Sequence, residues 1–164
     1  MSRINPAPGR MVGATVLTVI LLGAAALATP SFGTSQSTLA SSLHTTFDVD
    51  AKRPDWKASL KVKGVSDVVV TSHSVIPGGY SGWHSHPGLS IVSVTQGAVW
   101  LYDADDPTCA PSIVPAGHGF VEAGDHVHIL RNEGGVEARW TTTSIRPAGS
   151  AGRIDQPNPG NCPF

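Results

Sequence analysis

Four of the seven histidines fall into two alternating pairs, His84 with His86 and His126 with His128. In an extended strand, residues i and i+2 point to one face, so each pair can aim both rings at one point. A neutral imidazole is a common metal ligand, binding zinc at about 2.0–2.1 Å. Two ligands from one short strand and one from a distant strand make a facial set, which leaves positions open for water, oxygen or substrate. An isolated H-x-H also occurs on surface turns, so either pair alone leaves both readings open. No C-x-x-C spacing points to thiol redox work, and no G-x-S-x-G to a serine nucleophile. No catalytic residue is assigned, because no carboxylate is firmly placed as a general base; a metal-centred reaction needs none.

The elements that position these residues must be short. Gly and Pro number 18 and 13, and charged residues make up 14% of the chain, which disfavours long amphipathic helices. From Phe47 onward strand patterns alternate with turn signals. The stretch 65-VSDVVVTSHSVIP-77 is rich in β-branched residues, and 78-GGYSGW-83 is a Gly-rich turn. Then 89-LSIVSVTQGAVWLYD-103 breaks at Gln96-Gly97, and 112-SIVPAGHGFVEAGD-125 reads as two strands broken by Pro115 and Gly117. Strands over 126-HVHILRN-132 and 136-VEARWTTTSI-145 follow. Short strands between regular turns predict a β-sandwich or barrel. The formal net charge of −1 gives no footprint for nucleic acid.

The spacing around the histidines resembles the two motifs of the cupin family. Gly78, His84, His86, Ser90 and Gly97 follow the first, G-x5-H-x-H-x3-4-E-x6-G, with Ser90 at the glutamate position. Gly117, His128 and Asn132 follow the second, G-x5-P-x-G-x2-H-x3-N, with Ala123 for its proline and Asp125 for its second glycine. Gly124-Asp125 still suits a turn. The resemblance spans about residues 65–145. It implies an all-β fold, a single antiparallel jelly-roll barrel. It also implies that His84, His86 and His128 hold one divalent transition metal (Fe, Mn, Zn, Ni or Cu, which the ligand types do not separate). Asn132 and the motif glycines would support turns and strand ends.

Ser90 is the main departure, since the family usually has a glutamate ligand there. A serine hydroxyl is a poor ligand at neutral pH, so the site would hold three neutral ligands and one more open position. Both effects favour an anionic or chelating guest. Glu122, on the preceding strand or turn, is a candidate replacement, or an acceptor behind a ligand histidine. His126 is read as contacting substrate, as supporting a ligand, or as an exposed rim residue. His118 is expected to be exposed and His73 to be a structural histidine. His44 falls in a linker. Trp83 should point opposite to His84, and the aromatics are read mainly as barrel wall and core.

Residues 1–28 read as a signal peptide: Arg3 and Arg10 precede an uncharged run ending in Ala26-Leu27-Ala28. Retention as a membrane anchor is the alternative. Removing residues 1–28 takes away two positive charges and moves the chain from −1 to −3. Residues 29–45 read as a linker and 46–164 as the barrel domain with a Pro/Gly-rich tail. Export predicts a disulfide between Cys109 and Cys162, the only two cysteines. It would tie the tail 147–164 to the domain and contribute about 4 kcal/mol at most. The expected partner is a small molecule, with no nucleic acid, a membrane only if the leader is kept, and a homodimer as a candidate assembly. The functions in view are a dioxygenase-like metal enzyme acting on a small organic molecule, a non-catalytic cupin module binding metal or a small ligand, and a barrel with a vestigial site.

Overall fold

The computed structural model describes residues 27–164, so the basic and apolar leader lies outside the described residues except for Leu27 and Ala28. Among the described residues, no helix is long and apolar enough to cross a membrane. The strands are β1 (Phe32–His44), β2 (Phe47–Arg53), β3 (Trp56–Val62), β4 (Ser66–Tyr80), β5 (His84–Ser85), β6 (Leu89–Gln96), β7 (Ala98–Asp103), β8 (Ser112–Pro115), β9 (Gly119–Glu122), β10 (His128–Arg131), β11 (Ala138–Pro147) and β12 (Ile154–Asp155). Ten of them form one antiparallel sheet that curls into a nearly closed jelly-roll barrel. One wall runs β1-β4-β11-β6-β9, and the other runs β12-β5-β10-β7-β8. They meet where Tyr80 of β4 pairs with Arg131 of β10. β2 and β3 form a separate hairpin with Val49 and Trp56 exposed.

The sheet buries one face because its strands alternate. On β6, Ser90, Val92 and Val94 are buried while Ile91, Ser93 and Thr95 face solvent, the period of two expected of a half-buried strand. Val92 and Val94 pack with Val75, Val99, Leu130, Ala138 and Trp140 inside the barrel. A second cluster, Trp83 with Tyr102, Ile129 and Cys162, lies under the Cys109–Cys162 disulfide. Trp83 therefore does point away from its neighbour His84.

Three expectations are corrected. The segment 29–45 is no linker: β1 pairs with β4 from Phe32↔Tyr80 to His44↔Ser66. Its side chains are mostly small, polar and exposed, so backbone hydrogen bonds to β4 hold it and no apolar alternation marks it. The Gly-rich turn expected at 78–83 begins later, since Gly78–Tyr80 complete β4. The strand expected over 126–132 starts at His128, so His126 lies in the preceding turn. That turn contains Asp125 at φ 63°, a left-handed conformation in which Asp is tolerated and Gly is easiest. Its amide donates to the His86 carbonyl at 2.8 Å, which ties the turn to the histidine loop.

The tail also has a place in the fold. Ile154 and Asp155 of β12 pair with Ser85 and His84. Gln156 donates from its backbone amide to the Trp83 carbonyl at 3.0 Å and from its side chain to Ser85 Oγ at 3.1 Å. Asn161 Nδ2 donates to the carbonyls of Asp103 and Asp106 at 2.9 and 2.7 Å. The disulfide holds this Pro/Gly-rich segment across β5.

Candidate metal centre

His84 and His128 are direct cross-strand partners on β5 and β10, and His86 follows β5 by one residue. The three rings converge, with centroids 4.4, 5.0 and 5.2 Å apart. One nitrogen from each lies within 4.8 Å of the others. His84 and His128 are buried and His86 is half-buried.

Backbone carbonyls fix the tautomer of all three rings. His84 Nδ1 donates to the Gly82 carbonyl at 2.9 Å, His86 Nδ1 to that of Gly152 at 2.7 Å, and His128 Nδ1 to that of His126 at 3.0 Å. A carbonyl can only accept, so each Nδ1 carries the proton and each neutral ring turns its Nε2 lone pair inward. Burial and the neighbouring His128 push His84 down to about 2, which keeps its ring neutral.

Glu122 lies against two of the three rings. Its register partner across β9 and β6 is Ser90, which pairs on its other side with Ser144 of β11. The carboxylate absent at position 90 thus stands on the adjacent strand at the same level, while Ser90 is buried with its Oγ 3.4 Å from Ser144 Oγ. Glu122 Oε1 lies 2.9 Å from His128 Nε2, and Oε2 lies 3.2 Å from His86 Nε2. Oε1 and His128 Nε2 are both buried without a hydrogen-bond partner. Two acceptors so placed repel unless a cation or a proton lies between them. Two donor atoms about 2.1 Å from one ion and at right angles to each other are about 3.0 Å apart, so both separations fit a shared ion. Burial opposes charge on both Glu122 and His86. The histidines beside Glu122 nevertheless hold it well below the usual carboxylate range, and Glu122 raises His86 above its ordinary value.

The remaining candidates are dispersed. His126 is no part of the inner cluster: its ring is partly exposed and faces Asp103 and Asp105 at 3.7 and 3.6 Å. Strand parity does not apply to it, because it lies outside β10. Its carbonyl orients His128. His118 and His44 are exposed. Asn132 is buried and satisfied, donating to the Val75 and Val136 carbonyls and accepting from the Gly134 amide. His73 is the residue that sequence reasoning placed least well. It lines the same cavity as His84, His86 and Glu122, stacks on Trp140 at 5.2 Å, and is lowered to about 4 by burial and by His86. Its parity with the buried Val75 was the available signal, obscured by the unbroken Val68-Val69-Val70 run.

The cavity measures about 560 Å³, a size that suits a small organic guest. Its walls mix apolar groups such as Val92 and Leu130 with the hydroxyls of Thr71, Thr142 and Ser144.

No protein-family model matches the chain, and no curated protein matches it. Solved structures do match. The polyketide cyclase RemF from Streptomyces resistomycificus aligns with a TM-score of 0.50 at 15% identity, over 76% of this chain and 77% of its own. An oxalate oxidase in complex with the substrate analogue glycolate is 25% identical over 53% of this chain, with a TM-score of 0.45. That match spans 45% of the oxalate oxidase chain, less than half its length. A cupin 2 conserved barrel domain protein from Leptotrichia buccalis aligns with a TM-score of 0.46 at 17% identity, over 69% of this chain and 41% of its own. The alignment with RemF is one of fold, an antiparallel β-barrel, and inside that barrel the histidines of the two sequence motifs converge.

Proposed function

We propose that this chain is an exported, metal-dependent cupin that acts on a small organic molecule. His84, His86 and His128 hold one divalent transition ion, and Glu122 is a fourth donor in place of a carboxylate at Ser90. The observation that carries this is the buried, donorless contact of 2.9 Å between His128 Nε2 and Glu122 Oε1. When bound, such an ion supplies a Lewis-acid or redox centre, and dioxygenase-like chemistry is the class favoured here. The chain's own groups do the rest. The three backbone carbonyls orient the rings, the apolar wall excludes water, and the wall hydroxyls orient the guest. His73 stays neutral and offers a ring nitrogen inside the cavity. The disulfide supports an oxidising compartment and hence export.

A non-catalytic module binding metal or a small ligand is the second reading. What favours it is that Glu122 is the one carboxylate lining the cavity among the described residues, and it is committed to the histidines. Elemental analysis of the protein purified from its native compartment tests the metal. Near one equivalent of ion is expected, and it should be lost in a His84→Ala/His86→Ala variant. A metal-free wild type whose stability ignores added metal rules out the metal enzyme and the metal-binding module. Oxygen consumption by the iron form with candidate substrates separates enzyme from binder.

A further inference from the structure

Besides Glu122, the charged side chains lining the cavity are Arg146 and Arg153. Arg153 is paired with Asp155. Arg146 is not so neutralised. It ends the row Trp140, Thr142, Ser144, Arg146, whose alternate residues line the cavity along β11. Its Nε is buried without a hydrogen-bond partner. Its cross-strand neighbour Asp67 instead accepts from the Gly149 amide at 2.9 Å. Among the described residues, no carboxylate comes within salt-bridge distance of Arg146. A buried guanidinium donor without an acceptor is unfavourable, so a bound group that accepts from it is stabilised.

The guanidinium also lies close to the metal cluster. A Cβ built on Gly152 would stand 2.1 Å from Arg146 Nη1, so a residue without a side chain lets the guanidinium lie there. The carbonyl of the same Gly152 accepts from His86 Nδ1 at 2.7 Å. Arg146 thus occupies the wall one residue away from a proposed ligand. A divalent ion with Glu122 carries one net positive charge, and Arg146 adds a second in the same enclosed space.

Resting on the metal site proposed above, we propose that the cavity takes a small carboxylate whose anionic end is held by Arg146. The planar fork of the guanidinium matches a carboxylate through two parallel hydrogen bonds. The hydroxyls of Thr142 and Ser144 stand on the same row to contact the rest of the guest, which extends toward the histidines.

Calorimetric titration of the metal-loaded protein with malonate, with its neutral diamide malonamide, and with inorganic phosphate tests this. Wild type should bind malonate and neither of the others. Arg146→Gln should weaken malonate at least roughly tenfold, with metal content unchanged. Arg146→Lys, which keeps the charge without the fork and checks that a folded variant exists, should be intermediate. Malonate binding equally well to wild type and a folded Arg146→Gln, or malonamide binding as well as malonate, overturns the proposal. So does a fully metal-loaded wild type that ignores malonate or prefers phosphate. The same titration on metal-stripped protein separates the two ideas. Arg146-dependent malonate binding there keeps the carboxylate site even if the metal reading fails, and its absence in a chain that never binds metal removes both.

Discussion

Ser90 and Glu122 together define the residue-scale question. On the sequence, Ser90 marks a missing carboxylate and predicts a more open, more electrophilic site. In the structure Ser90 and Glu122 are cross-strand partners, and the Glu122 carboxylate lies against the His86 and His128 nitrogens. Glu122→Gln is therefore expected to lower metal affinity by at least roughly tenfold, read by competition with a chelator. Adding Ser90→Glu to a Glu122→Ser background should recover much of the loss, because the carboxylate returns to the neighbouring strand at the same level. Unchanged affinity in Glu122→Gln would show that the carboxylate only accepts from the rings. The histidines were legible because the H-x-H spacing and strand parity survive in one dimension. Glu122 could be named only as a candidate, since whether it reaches the ring nitrogens depends on which strand lies beside β6, a fact of register that spacing along the chain does not hold.

At the scale of elements, the strands that alternate were legible and those that do not were missed. β6 announces its buried face through Val92 and Val94, whereas β1 carries mostly Ser, Thr and Ala and is held by its ladder to β4. The β9–β10 turn shows how a degraded motif still folds. Asp125 adopts φ 63° where the family motif has glycine, and its amide caps the His86 carbonyl. Asp125→Gly removes the strain of that conformation and should stabilise the fold by up to about 1 kcal/mol, seen as a higher urea midpoint. Asp125→Val should destabilise it by about 1–2 kcal/mol. A lower midpoint for Asp125→Gly would mean that the Asp side chain contributes more than its backbone costs.

At the scale of the molecule, the tail and its disulfide belong to the site. The Cys109–Cys162 link, 53 residues apart in sequence, holds a segment that supplies the Gly152 carbonyl to His86, Arg153 to the cavity and β12 to the edge of β5. The two cysteines predicted the link, but nothing in 147-PAGSAGRIDQPNPGNCPF-164 told that it reaches a histidine. Cys109→Ser/Cys162→Ser is expected to destabilise the fold by about 2–4 kcal/mol. It should also weaken metal binding under conditions where the variant is still folded, since His86 loses its orienting carbonyl when the tail releases. Denaturant unfolding beside a metal titration checks both. Full metal affinity in the folded variant would show that β12 holds its place without the link.

The central claim is that one ion sits among His84, His86, His128 and Glu122. X-ray absorption at the metal edge of the loaded protein tests it most directly, because it counts imidazole ligands. Three imidazoles and a carboxylate oxygen are expected, falling to one imidazole, or to no bound metal, in His84→Ala/His86→Ala. Two or fewer imidazoles in the wild type, or a spectrum unchanged in that variant, would contradict it.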